Sequence, residues 1–195
     1  MLINKNEVHL NKNFLFTAYA TVAAYALCQT IGIKEKDILH ALNEDVIPSK
    51  RGHEYTIDHR KVTMLESKNE NALSYYQSLK YIVNEKGKKV VILGFDNVSR
   101  RYKYNDLSWL WDVDFELLND ESIEKIVLIG RFKWDVLVRL KYAKIKQNKI
   151  ILIDDMNNLI PTIKEKTKGE IYTMVCFDMT EIIQKKIMEA EHGNN

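Results

Sequence analysis

The sequence predicts an α/β fold in which a mainly parallel sheet carries flanking helices, and three observations predict it. Short apolar runs alternate with helical segments through the second half of the chain, and strands joined by single helices form right-handed crossovers in a parallel sheet. One run, residues 90–93, is apolar throughout and precedes Gly94, as in a buried strand. The composition, with 46% hydrophobic and 29% charged residues, is that of a domain with a sizeable core.

A helical hairpin is predicted for residues 1–49. Residues 13–30 carry Ala, Leu and aromatic residues at helical spacing, and Gly32 follows as a C-terminal stop. A second helix is predicted over residues 34–43, and Pro48 ends the pair. The hairpin carries much apolar surface for its size, so it must pack on the rest of the chain or on a partner. The α/β domain is then predicted to occupy residues 50–195.

A β-hairpin opens this second domain. Residues 55–57 and 61–65 form alternating strands joined by the short polar connection Asp58-His-Arg60. Helices and strands then alternate to the end of the chain. The strands are predicted over residues 90–93, 125–129, 149–153 and 171–176, and the helices over residues 70–84, 132–142, 156–166 and 179–190.

Bulk composition restricts the class of function. A net charge of +2 gives no broad attraction to nucleic acid or to an anionic membrane. Residues 1–13 lack the apolar core of a signal peptide, and residues 14–33 predict a buried helix in place of a membrane span. Cys28 and Cys176 each lie in apolar segments, which predicts two core thiols, no disulfide and a cytoplasmic setting.

Several chemical motifs are missing from the 195 residues. The sequence has no G-x-x-x-x-G-K-[ST] or G-x-G-x-x-G phosphate loop, no Cys/His cluster at metal-ligand spacing and no G-x-S-x-G nucleophile elbow. We therefore expect this chain to hold neither a nucleotide cofactor nor a metal ion, and a free-standing hydrolase or kinase is hard to build from it.

The most unusual stretch is residues 105–116, which holds two of the three Trp residues and four acidic groups. It follows the strand at residues 90–93, and ligands and partners of open α/β sheets bind at the loops that leave the carboxyl ends of strands. Asp106, Asp112 and Asp114 are therefore the first candidates for chemistry. Asp106 precedes Leu-Ser-Trp, so it is equally a candidate helix N-cap.

Trp109 and Trp111 stand two residues apart, so on a helix their side chains diverge. Both are candidate interface residues, and we expect one to pack in the core and the other to lie at a rim or a partner surface.

Asp106-Leu-Ser-Trp-Leu-Trp-Asp-Val-Asp-Phe-Glu116 strongly resembles the signature of the C-terminal domain of MurT, the Mur-ligase-like subunit of lipid II isoglutaminyl synthase. Gly130-Arg131, Asp135 and Arg139-Leu-Lys-Tyr-Ala143 resemble the next block of that domain, and Lys68-Asn69 resembles the start of another. The resemblance covers residues 50–190 and implies the Rossmann-like fold of a Mur ligase C-terminal domain.

Residues 14–33 resemble the helix that closes the ATP-binding central domain of Mur ligases, with Thr17 and Ala20 where that family carries asparagines. Since the phosphate loop is also missing, we expect a MurT-like chain without the ATPase module, inactive alone, with ATP and Mg²⁺ left to the missing central domain. The chain is either a complete small subunit, with Met1 as its natural start, or a fragment of a longer protein.

The resemblance implies a two-subunit enzyme of peptidoglycan precursor synthesis. The MurT-like subunit uses ATP to activate a carboxyl group of lipid II, while a GatD-type glutaminase hydrolyses glutamine and delivers ammonia. The family's C-terminal domain docks the glutaminase and lends an aspartate to a Cys-His-Asp triad. Position in the motif assigns this role to Asp106, with Asp112 and Asp114 as alternatives, and Lys68, Asn69 and Arg131 are candidate substrate-binding residues.

Two alternatives stay open. The chain can be a non-catalytic scaffold that kept the fold and acts by self-association or by binding a separate ATPase module.

The spacing of Arg131, Asp135 and Arg139 predicts ion pairs along one helix, either as a solvated network or as a clamp for a substrate carboxylate.

Overall fold

The computed structural model describes residues 1–10, 15–44, 53–65, 71–96 and 106–192, and the chain divides into two compact units, Met1–Ser49 and Lys50–Asn195. The first unit contains a small antiparallel hairpin, β1 (Leu2–Ile3) and β2 (Asn6–Glu7), followed by helices α1 (Leu15–Thr30) and α2 (Glu35–Glu44). Both predicted helices are confirmed, but α1 is not the buried helix that was predicted, because Tyr25 is its one buried side chain among those described. The β1–β2 hairpin was not predicted because strands of two residues show no periodic pattern.

The first unit is held together by a polar cluster on Tyr25, whose side chain is buried. The Tyr25 hydroxyl donates to Glu35 Oε1 at 2.5 Å and accepts from Asn4 at 3.1 Å and from Gln29 at 2.8 Å. The hydrogen bond with Glu35, followed by burial, raises the pKa of Tyr25 above its ordinary value. These bonds tie the β1–β2 turn to both helices, next to a core of Ile3, Val8 and Ile38.

The second unit contains a six-stranded sheet of order β3-β4-β8-β5-β6-β7, in which only the β3–β4 pair is antiparallel among the described strands. The strands are β3 (His53–Ile57), β4 (Arg60–Met64), β5 (Lys89–Gly94), β6 (Ile123–Ile129), β7 (Ile150–Leu152) and β8 (Glu170–Val175). The helices are α3 (Ala72–Asn84), α4 (Lys133–Tyr142), α5 (Leu159–Lys166) and α6 (Phe177–His192). The predicted Rossmann-like α/β fold with a mainly parallel sheet is confirmed.

Backbone conformation explains the turn between β3 and β4 and the start of α5. Asp58 and His59 both adopt positive φ, of 51° and 59°, which matches the two-residue turn that right-twisted hairpin strands favour. The helix predicted over residues 156–166 begins as a 3₁₀ turn, Met156–Asn158, before α5. Pro161 lies in the first turn of α5, where its missing N–H has no partner within the helix.

The carboxyl ends of β5, β6 and β8 are packed against each other through two glycines. A Cβ atom on Gly94 would lie 2.8 Å from both Ile129 Cγ1 and Val175 Cγ1. Gly130 has a φ of +85°, and a Cβ there would lie 2.4 Å from the carbonyl oxygen of Phe95. This close approach lets the chain turn from β6 into α4 and fixes the edge of the sheet at which the Trp-rich stretch lies.

Two further features concern the described helices and the two cysteines. None of its helices has the length and apolar content needed to span a membrane. Cys28 and Cys176 are both free thiols, and Cys176 is buried where β8 ends. The backbone N–H of Asp96 donates to Cys176 Sγ at 3.3 Å, so the thiol serves the packing of the sheet edge.

Candidate functional site

The Trp-rich stretch forms two short 3₁₀ helices in succession, Ser108–Asp112 and Phe115–Asn119, here called the tandem 3₁₀ segment. Side chains three residues apart lie on one face of a 3₁₀ helix. The buried residues follow this spacing: Leu110 with Val113, and Phe115 with Leu118. The segment therefore buries one face and leaves its acidic side chains, among them Asp112 and Asp114, exposed to solvent.

The two Trp side chains of this segment point to different surroundings. Trp109 packs against the rings of Tyr75 and Phe95, with ring centroids 5.0 and 6.0 Å apart. Trp111 is exposed and meets Tyr142 of α4 edge to face, with centroids 5.1 Å apart. Trp109 thus anchors the segment to α3 and to the end of β5. An interface role for either residue stays a prediction.

Arg139 of α4 holds the tandem 3₁₀ segment in place, and its side chain is buried at 6% exposure. Its Nη1 and Nη2 donate to the two carboxylate oxygens of Glu116 at 3.0 and 2.9 Å. Nη2 also donates to the carbonyl of Val113 at 2.7 Å, and Nε donates to that of Leu110 at 3.3 Å. A planar guanidinium with this many donors suits such a fork of acceptors.

The predicted pairing of Asp135 with Arg139 is therefore wrong, because Glu116 takes both ends of the guanidinium across a tertiary contact. Arg131 is exposed in the turn before α4, and no ion pair joins it to Asp135 within the described ranges. A signal for Arg139 was present in the sequence. Its position lies on the helix face of Val136, Leu140 and Ala143, which are all buried.

Asp106 lies immediately before the tandem 3₁₀ segment and has an exposed side chain. Its Oδ1 accepts the backbone N–H of Ser108 at 2.8 Å, so it forms an Asx turn that leads into the first 3₁₀ helix, and the predicted role as N-cap falls to Leu107. This backbone bond, together with a side-chain hydrogen bond to Ser108, lowers the pKa of Asp106 below its ordinary value. The carboxylate is therefore ionised at neutral pH, exposed and held in position.

Three predicted site residues remain, Lys68, Asn69 and Arg131. Lys68 and Asn69 lie outside the described residues. The guanidinium of Arg131 lies 5.3 Å from the ring centroid of its neighbour Phe132. In the described part of the chain, no group of three or more His, Cys, Asp or Glu residues has the arrangement of a metal site.

The Arg139–Glu116 ion pair should make the unfolding free energy depend on pH. Hydrogen bonds from Arg139 lower the pKa of Glu116 below its ordinary value of 4.5. A group with a lowered pKa in the folded state stabilises the fold above its unfolded pKa, and the contribution is lost as pH falls through the folded pKa. We expect the unfolding free energy to decrease below pH 4.5 and to decrease less in Glu116→Gln.

The difference should be at most about 1 kcal/mol, because Glu116 is half exposed and solvent screens the pair. Urea denaturation across the acidic range measures it. Asp106 and Asp120, whose pKa values are also lowered, titrate in both proteins, so the difference isolates Glu116. An identical pH dependence in the two proteins would show that Arg139 does not perturb this carboxylate.

Comparison with known proteins identifies the family. A model of the MurT ligase C-terminal family matches residues 67–179, which include the tandem 3₁₀ segment and Arg139. The chain belongs to the MurT ligase C-terminal family. The resemblance seen in the sequence is thus confirmed, and the described contacts show how the signature of a MurT C-terminal domain is used. Its Trp residues and Glu116 fasten the segment to α3 and α4, while Asp106 lies exposed in front of it.

Two relatives agree with this family. The MurT subunits of lipid II isoglutaminyl synthase (glutamine-hydrolyzing) from Staphylococcus aureus strains COL and N315 are 29% identical over 132 residues, which cover 67% of this chain. The chain spans only 29% of the length of these relatives.

MurF from Acinetobacter baumannii superposes with a TM-score of 0.65 at 17% identity, covering 90% of this chain and 38% of MurF. MurF ligase from Thermotoga maritima, solved in complex with ADP, gives a TM-score of 0.59 at 14% identity, covering 92% of this chain and 39% of that one. At these identities the likeness shows a shared fold.

Proposed function

We propose that this MurT C-terminal chain acts in the amidation of the peptidoglycan precursor lipid II, docks a GatD-type glutaminase and supplies Asp106 to the Cys-His-Asp triad of that partner. One observation carries the proposal: in a domain of this family, the carboxylate of Asp106 is exposed, ionised and fixed by Ser108 at the rim of the sheet. The S. aureus relatives are named as glutamine-hydrolysing synthase subunits, which agrees with a partner that hydrolyses glutamine.

The chemistry requires a carboxylate of this kind. When the partner's cysteine attacks the glutamine amide carbon, the histidine takes the thiol proton and later gives it to the leaving ammonia. A carboxylate that accepts the Nδ1–H of this histidine fixes its tautomer and stabilises the imidazolium. Oδ1 of Asp106 already accepts the Ser108 N–H, and the two lone pairs on each carboxylate oxygen leave capacity for an imidazole.

The ATP-dependent step of the reaction is assigned to a different domain. Activation of a carboxyl group by ATP and Mg²⁺ requires a phosphate-binding loop, and none occurs within these 195 residues. We assign both cofactors to the central domain of a MurT-like ligase and place the reaction in the cytoplasm. Asp112 and Asp114 are the alternative triad carboxylates, since both are exposed in the same segment.

A scaffold function is the second candidate. It is favoured by the exposed apolar side chains at and just after the C-terminal end of α1, Leu27, Ile31 and Ile33, which suit self-association or a separate ATPase module. Under this hypothesis the chain binds a partner and leaves the partner's chemistry unchanged.

Reconstitution separates the two functions. The purified chain is titrated into a GatD-type glutaminase, and both binding and glutamine hydrolysis are measured. We expect binding together with an increased hydrolysis rate, while the chain alone hydrolyses neither glutamine nor ATP. Binding with an unchanged rate would favour the scaffold, and ATP turnover by the isolated chain would contradict the assignment of the cofactors.

A further inference from the structure

A cavity of about 430 Å³ opens on the α3 side of the sheet. It lies at the amino-terminal edge, where β4, β5 and β8 begin, and these strands run parallel. This edge is therefore opposite the one that Gly94 closes. The volume is within the roughly 300–1,000 Å³ of small-molecule sites. Its lining comes from three elements: Lys61 of β4, Asn84, Glu85 and Lys86 at the end of α3, and Glu170 and Tyr172 of β8.

One oxygen of the Glu170 carboxylate lacks a hydrogen-bond donor. Oε2 is buried, and no donor within the described ranges of the chain reaches it. Lys89 is paired with Glu170 in the sheet, but its ammonium group donates to Ser122 at 2.8 Å. A carboxylate oxygen that loses water without gaining a donor is unfavourable, so its presence in a native fold points to an external partner. A ligand in the cavity can supply the missing N–H.

Two tyrosine rings beside the cavity respond to the negative charge around it. The rings of Tyr81 and Tyr172 have centroids 6.3 Å apart. Burial, followed by the charges of Glu85 and Glu54, raises the pKa of Tyr81 to about 12. Burial, followed by the charge of Glu85, also raises the pKa of Tyr172. Both phenols are therefore neutral at physiological pH, and their surroundings oppose a further negative charge.

The two lysines of the lining do not cancel this negative charge. Lys61 Nζ lies 3.8 Å from Glu54 Oε1, so a carboxylate outside the lining offsets its charge. Lys86 is exposed, and solvent screens its charge. The carboxylates of Glu85 and Glu170 therefore determine which ligand charge the cavity accepts.

We infer that this cavity binds a small organic cation whose primary ammonium group donates to Oε2 of Glu170 and lies beside the ring of Tyr172. An alkylammonium group carries three N–H donors, which suits an acceptor without a partner and a second carboxylate on Glu85. An aromatic ring next to the cation adds to its binding. The inference is independent of the proposed function, because the cavity and Asp106 lie at opposite edges of the sheet.

Nuclear magnetic resonance of the ¹⁵N-labelled full chain tests the inference. The chain is titrated with cadaverine, an aliphatic diamine, and separately with glutarate, a dicarboxylate with the same number of carbons. We expect saturable shifts of the backbone amides of Lys86, Glu170 and Tyr172 with cadaverine and none with glutarate. Glu170→Gln should weaken cadaverine binding by about 10-fold or more, the loss of one charge-assisted hydrogen bond. Glu165→Gln is the matched control, since Glu165 is exposed on α5, and it should bind as the wild type does.

Thermal unfolding gives a second reading. Glu170→Gln should leave the unfolding temperature of the free chain unchanged or raise it, because a neutral amide replaces a carboxylate with an unpaired buried oxygen. Cadaverine should raise the unfolding temperature of the wild type and not that of Glu170→Gln.

Three results would overturn the inference. The first is the absence of saturable shifts with cadaverine, or equal binding of cadaverine and glutarate. The second is equal binding of cadaverine to the wild type and to Glu170→Gln. The third is a large loss of stability in Glu170→Gln, which would show that the carboxylate has a partner within the fold. The comparison of the two ligands needs no variant, so it decides even if Glu170→Gln fails to fold.

Discussion

Asp106→Asn is expected to lower the kcat of the glutaminase complex by about 10³- to 10⁴-fold, the cost of losing the triad carboxylate in hydrolases of this type. An amide of the same shape still accepts the Ser108 N–H, so the tandem 3₁₀ segment should keep its conformation. The Asn side chain cannot stabilise an imidazolium, and its NH₂ group favours the wrong histidine tautomer. Affinity for the glutaminase should stay within a few-fold of that of the wild type.

Asp112→Asn and Asp114→Asn are the controls, since both carboxylates are exposed in the same segment. Each should leave kcat within about 3-fold of the wild type, in line with the small effect of exposed charges away from the reacting groups. Steady-state glutamine hydrolysis at saturating chain gives all three values. A fully active Asp106→Asn complex would dismiss the role, and a loss confined to Asp112→Asn would transfer it to that residue.

Arg139→Leu is expected to lower the unfolding free energy of the chain by about 3 kcal/mol, the lower end of what breaking a buried pair costs. The substitution removes the guanidinium donors from the carbonyls of Leu110 and Val113, which keep only their backbone donors, and it leaves Glu116 without its ion-pair partner. The half-exposed Glu116 can be rehydrated, which keeps the loss moderate. Urea denaturation followed by Trp fluorescence measures the change, and thermal unfolding gives a second reading.

Arg131→Leu is the matched control, because Arg131 is an exposed arginine close in sequence. It should change the unfolding free energy by less than about 0.5 kcal/mol. Arg139→Lys keeps the charge but loses the bidentate fork, so it should fall between the two. Wild-type stability in Arg139→Leu would mean that the four hydrogen bonds of Arg139 do not hold the segment.

The buried parallel strands of the second unit could be predicted from the sequence, because such strands consist of uninterrupted apolar runs. Val90 to Leu93 is such a run, and all four residues are buried in the middle of the sheet. The β1–β2 hairpin left no comparable signal. Its turn residues Asn4 and Lys5 adopt φ of 46° and 69° without a glycine to mark the turn.

The site was only partly predictable. The signature motif predicts a role for Asp106, and its hydrogen bond with Ser108 follows from the tendency of Asp to form Asx turns with the backbone two residues on. The role of Arg139 was not predicted, because spacing rules within one helix consider local partners and Glu116 lies 23 residues away. The ring contact between Trp111 and Tyr142 was missed for the same reason. Trp111 and Tyr142 are far apart in sequence and meet only after the 3₁₀ segment packs on α4.

The measurement that decides whether Asp106 serves the histidine of another protein is a proton NMR spectrum of the complex, with the glutaminase labelled with ¹⁵N at histidine. A carboxylate that accepts the Nδ1–H in a charge-assisted hydrogen bond deshields this proton and slows its exchange with water. We predict a new downfield Nδ1–H resonance when the wild-type chain is added and none when Asp106→Asn is added. The same resonance with Asp106→Asn would contradict the role of Asp106.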